Sequence, residues 1–92
     1  MKSILQTEKV CFICGTTLNL HDHHVIHGNA NRKQSEKYGL KVYLCAEHHT
    51  GENGVHFNKD MDDYLKRIAQ EKFESEIGSR ESFREIFGKS FL

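Results

Sequence analysis

The chain has 92 residues, and its 13 lysines and arginines balance 13 aspartates and glutamates. That length suits one domain with a modest core, and neutrality argues against a protein whose main task is coating nucleic acid through counterion release. No apolar run reaches spanning length and no secretory pattern opens the sequence, so a cytoplasmic protein with no membrane partner is expected; three cysteines, an odd number, suit thiolate–metal bonding better than a closed disulfide set.

Proline is absent, so glycine supplies the punctuation. Cys11-Phe12-Ile13-Cys14 leads into a turn at Gly15-Thr16-Thr17. Residues 18–26 hold a β-prone stretch that ends at Gly28-Asn29. Residues 31–38 are polar and predict a short helix with Gly39 as its stop. Residues 40–44 alternate and predict a second strand, 45–50 a single helical turn, and 51–54 a loop. Asn58 is placed to cap a longer helix whose first turns hold Asp60, Asp62 and Asp63. Its apolar stripe is Met61, Tyr64, Leu65, Ile68 and Phe73, and Gly78 ends it. Ser79 then caps a short helix bearing Phe83, Ile86 and Phe87, stopped by Gly88, and Phe91 and Leu92 are expected to fold back on the core. The reading is one domain over 1–92: a metal-binding region at 1–57 and a helical extension at 58–92.

Cys11, Cys14, Cys45 and His48 form a C-x-x-C and a C-x-x-H knuckle with 30 residues between them. Each knuckle offers two ligands to tetrahedral zinc, and thiolates select zinc over magnesium or calcium. His49 is the alternative fourth ligand, being adjacent to His48. The competing reading, buried cysteines acting as small hydrophobes, leaves the matched spacing unexplained. Zinc held here supplies folding free energy on the order of 10 kcal/mol.

All seven histidines lie between positions 21 and 56, so six remain once zinc is satisfied: His21, His23, His24, His27, His49 and His56. Neighbouring residues on a strand point to opposite faces, so His23 and His24 cannot serve one ion in the same way. One is a ligand while the other is free to take a proton. That division of labour suits metal-assisted phosphodiester hydrolysis, where an imidazole activates water and a divalent ion polarises the phosphoryl group. His56 reads equally as a ligand or as a core histidine satisfied by backbone. His21 and His27 read as hairpin surface or as supports for the ligands. Arg32, Lys33, Lys37 and Lys41 join the two strands and are candidate DNA-phosphate contacts, although such charges usually form a solvated face. Tyr38 and Tyr43 read as packing, and the Met61–Phe73 stripe as core unless a dimer buries it.

This pattern resembles the HNH (ββα-metal, His-Me finger) endonucleases: C-x-x-C, a strand with paired histidines, then Leu44-Cys45-x-x-His48-His49, where His48 replaces a cysteine of the family's string. The chain is also similar to small phage and prophage HNH-like proteins through His24-Val25-Ile26-His27-Gly28, Ser35-Glu36-Lys37-Tyr38-Gly39, Gly54-Val55-His56-Phe57-Asn58 and Ile86-Phe87-Gly88-Lys89-Ser90-Phe91-Leu92. The resemblance covers nearly the whole chain. It implies an α+β fold with a zinc-stapled ββα-metal core and a C-terminal helical extension. It also implies a metal-dependent DNA endonuclease in which His24 is the general base. By position His23 and His49 hold one Mg2+, Mn2+, Ni2+ or Zn2+ ion beside the structural zinc, and His56 supplies a further ligand if its loop folds back. Two departures stand out. The family's further ligand, four residues after His49, is here Asn53, and its base-orienting asparagine is here Leu40, with Asn29 or Asn31 as candidate substitutes. DNA is the implied partner, with phage proteins as further ones, for a monomer or a homodimer.

A rival of a different class follows from the missing asparagine and the zero net charge: a catalytically degenerate zinc module that binds DNA or protein without cutting. Metal storage by the histidines is a third reading, which leaves the strand–helix order unexplained.

Overall fold

In the computed structural model, which describes residues 2–52 and 54–92, the chain runs β1 (Leu20–His24), α1 (Asn29–Tyr38), β2 (Lys41–Cys45), α2 (Ala46–His49), α3 (Lys59–Glu76) and α4 (Arg80–Phe87). This is a small α+β domain with one two-stranded sheet. The two strands are antiparallel, with His23 opposite Val42 and His24 opposite Lys41. Asn53, a position of interest for a further metal ligand, lies outside the described residues.

Local chemistry sets the boundaries. Gly39 closes α1 in the left-handed conformation at φ 72°, and a Cβ there would sit 2.5 Å from the carbonyl oxygen of Lys2. Glycine therefore serves twice, for backbone angle and for close approach. Asn58 caps α3 by accepting from the Met61 amide at 3.1 Å. Ser79 and Ser82 form a reciprocal capping box on α4, and Gly88 closes that helix at φ 88°.

Both regions share one core: Val25, Ile26, Leu40, Val42, Leu44 and Val55 meet Leu65, Ala69, Phe73, Phe83 and Phe87. Phe73 meets Tyr38 and Phe83 edge-on, with ring centroids 5.7 and 5.3 Å apart. The buried stripe of α3 differs from the expected one. Leu65, Ala69, Gln70 and Phe73 are buried, whereas Tyr64 is 49% exposed. The buried face runs through Leu65, Ala69 and Phe73, and Tyr64, about 100° round the helix from Leu65, falls at its exposed edge. Gln70 sits in the core because its polar atoms are satisfied: its amide donates to Glu74 and Ser90, both at 2.9 Å, and its carbonyl accepts from the Phe91 amide at 2.6 Å. This tether brings Phe91 against the core, while Leu92, expected there too, is 42% exposed. Among the described residues no helix is long and apolar enough to cross a membrane.

Candidate functional site

Two ligand clusters flank β2 and α2. The first joins the N-terminal knuckle to the end of β2. Cys11 donates its amide to the Thr16 carbonyl at 2.8 Å and accepts from Gly15 at 2.8 Å, which makes a tight turn that points both thiols the same way. Phe12 donates to the Tyr43 carbonyl at 2.8 Å and so docks the turn on β2. The Cys14 and Cys45 sulfurs are then 3.8 Å apart, and His48 Nδ1 lies 3.8 Å from Cys11 Sγ and 3.2 Å from Cys45 Sγ. Zinc–sulfur bonds of about 2.3 Å place tetrahedral ligands roughly 3.8 Å apart, so this quartet can hold a metal ion such as zinc. For Cys11, burial raises the thiol pKa but is outweighed by the backbone hydrogen bonds of Cys14, Cys45 and Ile13. The net value falls from 9.0 to about 6, which favours the thiolate that a metal needs. His48 is the histidine of this cluster. Its neighbour His49, weighed as an alternative, lies in the other one.

The second cluster is His23 from β1, His49 from the end of α2 and His56 from the following loop. His49 Nε2 and His56 Nε2 are 3.3 Å apart, and the His23 ring lies 5.2 Å from that of His49 and 5.8 Å from that of His56. The loop carries His56 back because Val55 donates to the His48 carbonyl at 3.0 Å and its side chain is buried. Gly54 allows that return, since a Cβ there would sit 2.7 Å from the His49 carbonyl oxygen. His56 is exposed, so it is not a core histidine.

His23 is 3% exposed, and its Nε2 is buried with no hydrogen-bond partner. An orphaned imidazole nitrogen beside two other ring nitrogens is costly unless an ion or water satisfies it. Burial, followed by the neighbouring imidazoles of His49, His56 and His27, pushes His23 down from 6.5 to about 3. Burial, followed by His56 and His21, lowers His49 as well. Both rings are thus neutral near pH 7, as metal ligation requires. The donor chemistry therefore fits a divalent ion that accepts imidazole.

His24 groups with Asp22 and Glu36 rather than with the trio, yet it and His23 line one cavity of about 260 Å³ together with Asp22, His27, Arg32, His49 and His56. His24 Nε2 lies 3.2 Å from Glu36 Oε1 on α1. Neither Asn29 nor Asn31 hydrogen-bonds His24 among the described residues; Glu36 takes that place. Leu40, at the position of the expected asparagine, is fully buried in the core.

His21 and His27 both contact the cluster's surroundings. His21 Nδ1 lies 2.8 Å from His49 Nδ1, which leaves His49 Nε2 for a metal. His27 Nε2 lies 3.1 Å from Asp62 Oδ1, a link from the metal region to α3. Of the four basic residues, Arg32 lines the histidine cavity, and Lys33 lines an adjoining hollow with His24, Asn29, Arg32 and Glu36. The Lys37 ammonium lies over the Tyr38 ring, 5.3 Å from its centroid. Lys41 is occupied within the fold: its ammonium is 2.9 Å from Glu36 and 3.7 Å from Asp22, with the side chain 16% exposed.

The pairings of His21 with His49 and of Glu36 with His24 were not foreseen from sequence. Histidine spacing signalled the first only weakly, and nothing in the linear pattern signalled the second. Comparison with family models, curated proteins and solved structures gave no match.

Proposed function

We propose that the chain is a metal-dependent DNA endonuclease of the HNH type, with the quartet Cys11, Cys14, Cys45 and His48 as its structural zinc site. The observation that carries this reading is the meeting of three imidazoles, His23, His49 and His56, with a fourth, His24, in one cavity set apart from the cysteine quartet. A scaffold has no use for a buried, unsatisfied imidazole nitrogen at the edge of a hollow. The β1–β2–α2 arrangement around these groups is what the ββα-metal assignment rests on.

His23, His49 and His56 would hold the second ion. An all-imidazole set suits Ni2+ or Zn2+ better than Mg2+, which prefers carboxylate and water oxygens. When bound, the ion supplies Lewis-acid stabilisation of the charge that develops on the phosphate and leaving oxygen. The protein's own groups do the rest. The Arg32 guanidinium, at the cavity wall, positions a phosphate by charge-assisted hydrogen bonds. His24 takes a proton from the attacking water as general base. One base with one ion suits cutting one strand per encounter.

The test is plasmid nicking with added Mg2+, Mn2+, Ni2+ or Zn2+, for the wild type beside His24→Ala. The reading expects nicking by the wild type with at least one imidazole-preferring ion, and a fall of about 10²-fold or more in the variant. An inert wild type, or equal activity in the variant, rejects the catalytic assignment. An inert wild type favours the non-cutting zinc module, for which the core leucine at position 40 and the net charge of zero already speak.

A further inference from the structure

We infer that Glu36 is the positioning residue for His24, fixing the Nε2–H tautomer and so making Nδ1 the nitrogen that takes the proton; this rests on the endonuclease reading for its chemistry but not for its geometry. Glu36 Oε1 lies 3.2 Å from His24 Nε2. An ionised carboxylate only accepts, so the ring nitrogen facing it must carry the hydrogen. The other ring nitrogen, Nδ1, keeps its lone pair.

Lys41 holds the carboxylate in place. Its ammonium donates to Glu36 Oε1 at 3.1 Å and to Oε2 at 2.9 Å, and it lies 3.7 Å from Asp22 Oδ2. Each partner comes from a fixed element. His24 ends β1 directly opposite Lys41 at the start of β2. Glu36 sits on the last turn of α1, which is anchored one residue earlier by the buried Ser35 hydroxyl donating to the Ile26 carbonyl at 2.7 Å. The carboxylate does for this histidine what an orienting side chain must do: it sets the tautomer and restrains the ring. Two carboxylates and an imidazole at this spot also have the composition of a cation site, but the Lys41 ammonium already sits between Asp22 and Glu36 and supplies that positive charge.

The consequence is specific. In Glu36→Leu no acceptor faces Nε2, so the hydrogen is no longer held there and the Nδ1–H form gains population. The experiment is 15N NMR of the histidine side chains in zinc-loaded wild type and Glu36→Leu with His24 neutral, beside nicking kinetics of both. The expected result is Nε2–H alone in the wild type, a measurable share of Nδ1–H in the variant, and a kcat lower by roughly 10²-fold with KM unchanged. An Nδ1–H tautomer in the wild type, or the wild-type tautomer kept unchanged in Glu36→Leu, overturns the assignment. So does a cutting variant whose kcat stays within about twofold of an active wild type. If the wild type cuts no DNA, the endonuclease reading falls, and the tautomers alone decide the role of Glu36.

Discussion

His23 shows most directly how this fold uses burial. A neutral imidazole closed off from water, with an unpartnered Nε2, is unfavourable for folding and favourable for binding an ion. Its folded pKa of about 3 lies below the ordinary 6.5, so between those values the unfolded chain binds the extra proton. The contribution is therefore fully present above pH 6.5 and is lost as pH falls toward 3. In protein carrying only the zinc of the cysteine quartet, the urea midpoint should fall between about pH 7 and about pH 5. His23→Leu should flatten that fall, and parallel curves for the two proteins would show that His23 does not carry it. The cysteine quartet could be proposed from residue type and spacing, because C-x-x-C and C-x-x-H fix two ligands each on a short turn; of the histidine trio, His56 is open in sequence between ligand and core, since only the path of the loop decides it. The Glu36–His24 pair was not legible, since nothing in sequence says that residues 12 apart will meet across a helix and a strand end.

The loop after α2 decides whether His56 joins the cluster. It returns only because Gly54 has no side chain where the His49 carbonyl passes, and because Val55 docks on His48. Gly54→Ala should push His56 away and weaken binding of the second ion at least tenfold, as read by calorimetric titration with Ni2+, while the zinc content stays at wild-type level. Unchanged Ni2+ affinity would mean that the loop does not place a ligand. Similarly, Gln70 ties α3 to the C-terminal tail from inside the core. Gln70→Leu leaves the Phe91 amide without that partner and should cost about 1–3 kcal/mol in chemical denaturation. A cost below about 0.5 kcal/mol would show that the tail amide finds water instead. Helix ends were readable because Asn58, Ser79, Gly39 and Gly88 are chemically distinctive at caps. The inward face of α3 was not, because Tyr64 and Leu65 are both apolar and only packing chooses between them.

The whole molecule joins a two-stranded sheet, too small to stand alone, to a helical layer through one core. The cysteine quartet pins the N-terminal arm to β2 and α2, so an ion held there would serve the fold, whereas the histidine trio lies at a cavity where the proposed second ion would be open to exchange. Stripping the protein with a strong chelator should therefore unfold the N-terminal half, seen as loss of dispersed amide signals, and zinc should restore it. Survival of the dispersed spectrum without metal would mean that the fold does not depend on an ion at the quartet. His49→Ala should keep the zinc and the fold and lose only the second ion, and loss of both ions together would mean that the clusters are not separable. The most direct test of two distinct sites is element-resolved anomalous diffraction from crystals grown with zinc and soaked in Ni2+. The account predicts two peaks, zinc among Cys11, Cys14, Cys45 and His48, and nickel among His23, His49 and His56. A single peak shared between the two groups of residues, or none at the histidines, would contradict it.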